Sequence, residues 1–204
     1  MTQPTSRRLR EITGIVLIAA GLVLAGYGLY IPAKAALAQV LLERAWAAAP
    51  AYGTAPRPWP WADTRPVARI LVPRQEVSWI VLAGAHGRSL PFGPGHVDGT
   101  AYPGQHGHSV VAAHRDTHFA FLKDLRIGDR IEVQRPGEIE TGYVVVEKAV
   151  LDVRKQNILI DPAADLLTLV TCYPFTEWNP GGPLRYVVTA VAVHDSLSGS
   201  ASPI

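Results

Sequence analysis

From Ile12 to Ala33 the chain runs 22 residues without a formal charge, dense in Ile, Val, Leu, Ala and Gly. A helix that crosses the hydrocarbon core needs roughly 20 such residues, so this stretch predicts a membrane span. Lys34 to Ala48 then carries Leu37, Val40, Leu41 and Trp46 at helical spacing, with Glu43 and Arg44 among them. That pattern fits an amphipathic helix lying on the membrane or against a domain, and equally a helical stalk that continues the span. Five prolines, at 50, 56, 58, 60 and 66, make the next segment a stiff, extended spacer.

Beyond Pro66 the periodicity changes. VARILV (67–72) and VSWIVL (77–82) read as strands separated by a turn at Pro73. Leu90 to Gly107 is rich in Gly, Pro and His and reads as loop, and SVVAAH (109–114) as a strand ending on a histidine. A short helical turn over 119–125 precedes RIEVQ (130–134) and TGYVVVEKAVL (141–151), which flank a Pro136-Gly137 turn. LLTLVTC (166–172) is an apolar, β-branched run stopped by Tyr173-Pro174, since proline cannot donate to a ladder. LRYVVTAVAV (184–193) closes the domain. Seven or eight short strands with little helix predict an all-β, closed or nearly closed barrel behind an N-terminal transmembrane helix. The layout is a basic tail at 1–11, a span at 12–33, a juxtamembrane helix and Pro-rich linker at 34–66, a barrel at 67–195 and a disordered small-residue tail at 196–204.

Charge orients this layout. The formal net charge is +2, and Arg7, Arg8 and Arg10 against Glu11 account for all of it, leaving 16 basic and 16 acidic residues from Ile12 onward. No basic stripe with interleaved aromatics is present, which argues against a nucleic-acid partner. Arginines before the apolar run place the N-terminus in the cytoplasm, and Tyr27 and Tyr30 suit the far interface. Ala36-Leu37-Ala38 resembles a cleavage site, but the apolar run exceeds the ~7–15 residues of a signal-peptide core, so an uncleaved signal-anchor is expected. Everything beyond the span then lies outside the cytoplasm.

That compartment makes Cys172, the sole cysteine, informative. Exported proteins use cysteines in pairs, so a leftover one suggests a reactive thiol. A cysteine nucleophile needs a proton partner and a group that stabilises the developing oxyanion. His114 and Cys172 each end an apolar strand, and Arg185 begins the last one, 13 residues after the cysteine. Matching strand ends can converge on one cleft, because neighbouring strands lie ~4.8 Å apart. Spacing alone also admits a cysteine peptidase, an L,D-transpeptidase-like cell-wall enzyme or a catalytically silent binding barrel. The L,D-transpeptidase-like enzymes typically carry glycine before the cysteine, where this chain has Thr171.

TLVTC (168–172) resembles the TLxTC signature of sortases, the cysteine transpeptidases that attach surface proteins to an acceptor amine. PGQHGHSVVAAHRDTHFAFLKDL (103–125) looks like the segment carrying the sortase histidine, and LRYVV (184–188) like the one carrying its arginine. The resemblance spans roughly 67–193, and the LAGAHGRSLPFGPGH and TCYPF contexts are most similar to sortases of Gram-negative proteobacteria. His108 and Ala113 stand where the family typically has Asn and Gly.

The resemblance implies a sortase-like barrel held by one span in the inner membrane, with its catalytic domain on the periplasmic side. It implies that Cys172 attacks the Thr–Gly bond of an LPxTG-like sorting signal on a protein substrate and passes the acyl group to an amine acceptor that the chain does not name. His114 would be acid and then base, and Arg185 would hold the substrate carbonyl and the oxyanion. Thr171, Tyr173, Trp178 and His118 are candidates for the substrate groove. No cofactor is expected. His106, His108, Asp116 and His118 lie close in sequence, but no spacing among them matches a strong zinc signature, so no metal is expected. His86, His96 and His194 read as ordinary surface or loop histidines.

Overall fold

Eight strands close into one barrel in the order β1-β2-β3-β4-β7-β8-β6-β5. The computed structural model describes residues 4–49, 53–137, 140–176 and 181–193. It divides into two units, Met1–Val40 and Leu41–Ile204, and the barrel belongs to the second. The strands are β1 (Pro66–Val72), β2 (Val77–Ala83), β3 (Gly95–His96), β4 (His108–Ala112), β5 (Arg130–Gln134), β6 (Thr141–Asp152), β7 (Leu166–Cys172) and β8 (Leu184–Val193). The all-β expectation is met, with a 3-10 turn at Ala120–Asp124 where a short helical turn was expected.

One helix, α1, runs from Pro4 to Ala47 without ending at Pro32. At 1.5 Å per residue its 44 residues extend about 66 Å. Apolar surroundings tolerate such a proline, because the helix still satisfies the other backbone groups internally. By length and composition α1 is a candidate membrane span, with Ile15, Leu22 and Leu29 among many exposed apolar side chains. Continuity favours the stalk over a separate amphipathic element. The last turns nonetheless have a partner in the second unit. Leu42 is fully buried against Ile80 and Leu82, flanked by Trp46 and Phe92. Glu43 Oε2 accepts from Arg69 Nη2 at 2.5 Å, and the Arg69 guanidinium lies over the Trp46 ring at 5.3 Å.

Alternation sorts the strand residues. Ile70, Val111, Ile131, Tyr143, Leu169 and Val188 point inward and form the core with Phe119 and Leu122. Two pairings are parallel, β2 with β3 and β4 with β7. The second matters most for function. Because β4 and β7 run the same way and β8 runs against β7, the ends of β4 and β7 and the start of β8 meet at one rim.

The short strand β3 lies inside the segment expected to be loop. Gly95 is required there, since a Cβ would fall 2.6 Å from Gly84 O and 2.7 Å from Ala85 Cα. His96 is a correction to its reading as an ordinary loop residue. It is 4% exposed, its Nε2 lies 3.0 Å from both Ala101 O and Thr100 Oγ1, and its ring stacks on Tyr102. His86 pairs with Asp98 at 3.2 Å, and His194 lies outside the described residues.

Candidate active site

The site begins with register. Cys172 on β7 stands directly opposite Arg185 on β8 in the antiparallel ladder. Side chains so opposed have Cβ atoms about 4.5–5.5 Å apart. On the other flank, β4 and β7 keep one offset from His108↔Leu166 to Ala112↔Val170. Strand β4 ends at Ala112, two residues before the histidine that was expected to close it. The pairing continues past that end. Ala113 N donates to Val170 O at 3.1 Å, and Thr171 Oγ1 donates to Ala113 O at 2.7 Å. His114 is the next residue, level with Cys172, and it is exposed. The chain then turns, with Phe119 N donating to His114 O at 3.0 Å.

Face follows from alternation. Leu167, Leu169 and Thr171 point into the barrel, so Thr168, Val170 and Cys172 point outward. The outer face near Cys172 is apolar, with Val110, Val170 and Val187 in one buried cluster. Val97, Leu151 and Ile158 flank that cluster, and Ala112 completes its floor. The half-buried thiol therefore sits at the end of a greasy strip with the arginine beside it. Arg185 Nη1 donates to Gly182 O at 2.6 Å and Leu184 O at 2.9 Å. Those bonds fix the fork, and its Nε and Nη2 donors have no partner among the described residues.

The four groove candidates take different places. Thr171 is 2% exposed, and its hydroxyl is spent on Ala113 O, so its side chain holds β4 to β7 instead of meeting a ligand. His118 is also buried, edge-on to Trp79 at 4.7 Å between ring centres. Burial lowers its pKa, the neighbouring His114 lowers it further, and Asp116 opposes the shift. Tyr173 is half-buried and stacks on Tyr186 with centroids 6.1 Å apart, next to Phe175. Trp178 lies outside the described residues.

The close-spaced histidines disperse. His106 Nδ1 pairs with Asp165 at 2.6 Å, whereas His108 is buried between Thr168 and the Asp161 amide. Among the described residues no three metal-ligating side chains converge. Sequence reasoning missed His108 and the wall residues Val97 and Ile158. The available signal was β7 itself, whose run from Leu167 to Thr171 is buried without a gap. A barrel strand with an open outer face alternates, so a continuous buried run implies cover on both faces.

A family model described as a sortase domain matches residues 70–193. The chain belongs to the sortase family. It is 29% identical over 199 residues to sortase D of Bacillus subtilis (strain 168), covering 88% of this chain and 97% of that protein. Among solved structures, a lid mutant of sortase A from Corynebacterium diphtheriae is 28% identical with a TM-score of 0.57, over 66% of this chain and 73% of that one. Sortase C-1 from Actinomyces oris is 32% identical with a TM-score of 0.53, over 63% and 73%. This sortase is accordingly a sortase-type transpeptidase, and its closed eight-stranded barrel is the family's fold.

Proposed function

We propose that this sortase cleaves an LPxTG-like sorting signal through Cys172 and transfers the acyl group to an amine. The cross-strand pairing of Cys172 with Arg185, with His114 level on the other side, carries the reading. The Cys172 thiolate attacks the threonine carbonyl carbon, and the oxygen takes up the charge. Arg185 donates to that oxygen, since its planar fork presents N–H groups in fixed directions. The tetrahedral adduct collapses to a thioester as the C–N bond breaks, and His114 gives its proton to the departing amine. An acceptor amine then attacks the thioester and loses its proton to His114. The thiolate leaves, and a new amide remains.

The apolar strip of Ala112, Val110, Val170 and Val187 is the groove for the Leu-Pro half of the signal. Apolar walls suit that half, and the strip ends where the thiol begins. Tyr173, and Trp178 by its sequence position, flank the exit for the leaving segment. The uncharged run at 12–33 anchors the enzyme, the arginines before it hold the tail at 1–11 inside, and the barrel of 67–195 works on the periplasmic side of an inner membrane. Composition around 83–97 and 171–175 supports placement with the Gram-negative proteobacterial sortases.

The test is selectivity. LPxTG-type peptides with and without the Thr–Gly pair are offered to wild type and to Cys172→Ala, Arg185→Ala and His114→Ala. Turnover confined to the intact pair and lost in all three variants is expected. Removing a single oxyanion donor costs about 10²–10³ in kcat, so Arg185→Ala should fall at least that far. Transpeptidation retained by Cys172→Ala would end the proposal.

A further inference from the structure

His108 is a buried histidine, 4% exposed, that the chemistry at Cys172 does not use. Its two ring nitrogens have different partners on different segments. Nδ1 accepts from the Asp161 backbone N–H at 3.2 Å, so Nδ1 carries no proton. Nε2 therefore carries it and donates to Thr168 Oγ1 on β7 at 2.8 Å. The neutral tautomer is thus fixed by geometry. Asp161 belongs to the segment that joins β6 to β7 and carries Ile158 against the groove.

That segment has two feet. One is at Asp152, whose carbonyl accepts from Lys155 N and Gln156 N, with Val153 N donating to Pro183 O at 3.0 Å. The other meets the start of β4. Gly107 N donates to Asp165 Oδ1 at 2.7 Å, and Leu166 N donates to Gly107 O at 3.3 Å. Between the feet lie residues 157–160, with Ile158 packed on the groove and Leu159 87% exposed. The Asp161–His108 bond is the pin nearest Ile158, three residues away.

We propose that His108 is a positioning residue of the groove, which fixes segment 157–160 as a wall and so sets the affinity for the sorting signal rather than the rate of chemistry. This rests on the groove assignment above. It also makes the wall sensitive to acid. A proton on Nδ1 would face the Asp161 N–H donor to donor, and the pin would be lost. Burial holds the His108 pKa below its ordinary value, with the Asp161 carboxylate pulling the other way, so release comes on the acid side. The remaining charged neighbours on these segments, His106 and Asp165, are paired with each other, and β7 contributes only the uncharged Thr168.

The experiment uses the full chain in detergent micelles, as wild type, His108→Ala and His108→Asn. Asparagine places its Oδ1 where Nδ1 stood, so it keeps the acceptor for Asp161 and does not titrate. Backbone hydrogen exchange over 157–166 reads the pin, and KM and kcat with an LPxTG-type peptide read the groove. In His108→Ala, loss of one buried hydrogen bond predicts exchange and KM both raised by about tenfold, with kcat within about twofold. In His108→Asn, KM stays near wild type at pH 7.5 and loses the rise that wild type shows towards pH 5. Unchanged exchange in His108→Ala overturns the pin, and an acid rise in KM that survives in His108→Asn overturns the titration. Faster exchange with unchanged KM overturns the claim on affinity. If no peptide acylates even wild type, the functional reading has failed, and exchange alone still decides the pin.

Discussion

Truncating Leu42 to alanine tests whether the end of α1 is part of the folded enzyme. Leu42 has no exposed surface and packs on Ile80, Leu82, Trp46 and Phe92. A buried Leu→Ala change costs about 2–5 kcal/mol, set by how far the site can collapse. This cluster is separate from the barrel core, and Trp46 is only half-buried, so relaxation is easy and the loss should be about 2–3 kcal/mol. For a domain of this size about 1 kcal/mol moves Tm by 2–4 °C, so a fall of about 4–12 °C is expected. The assay is urea unfolding and thermal melting of a fragment covering 41–204, with and without the substitution. Leu159→Ala, 87% exposed, serves as the control and should change stability by less than about 0.5 kcal/mol. A fragment starting at residue 50 lacks Leu42, Glu43 and Trp46 together and should be less stable still. If Leu42→Ala and the control melt alike, and the shorter fragment matches the longer, the helix end contributes nothing and the argument from burial is wrong.

Other outcomes follow from single positions. Gly95→Ala forces a Cβ into backbone on two sides and should cost about 3 kcal/mol, visible as a lower urea midpoint, whereas an unchanged midpoint would contradict the close β2–β3 approach. Val187→Asp puts an unpaired carboxylate on the groove floor. It should raise peptide KM at least about tenfold, against a cost of roughly 2 kcal/mol or more for burying unpaired polarity. An unaltered KM would remove the strip from the substrate path. His108 and His118 both have pKa values lowered chiefly by burial, so as pH falls the unfolded chain takes their protons first. Stability is therefore full above about pH 6.5 and declines below it until the folded-state values are passed. Urea midpoints at pH 7.5 and 5.0 check this, and His108→Asn with His118→Gln should shrink the difference.

Much of the fold was legible because a barrel strand buries one face. RIEVQ alternates cleanly, with Ile131 and Val133 inward. Thr168–Cys172 and His108–Leu125 also carried the family's signature, so the order of His114, Cys172 and Arg185 was readable before any geometry. Three things were not. Strand β3 is two residues long and exists only through partners on β2 and β4, which no local pattern records. The destination of the amphipathic turns after Lys34 depended on a partner 38 residues beyond Leu42 in sequence, at Ile80. The groove stayed hidden because its cover comes from Val97 and Ile158, on segments with no regular structure. His108 shows the same limit. Its neighbours in sequence suggested a metal pair, while its actual partners lie 53 and 60 residues away.

The central claim is that Cys172 forms the acyl-enzyme. Intact-mass measurement of the full chain with an LPxTG-type peptide, with and without an amine, tests it most directly. The account predicts one added acyl mass, located at Cys172 by fragmentation and absent from Cys172→Ala, that disappears when amine is supplied and leaves a new amide product. A wild-type chain that stays unmodified across motif variants, while a small thiol reagent still labels Cys172, would contradict it.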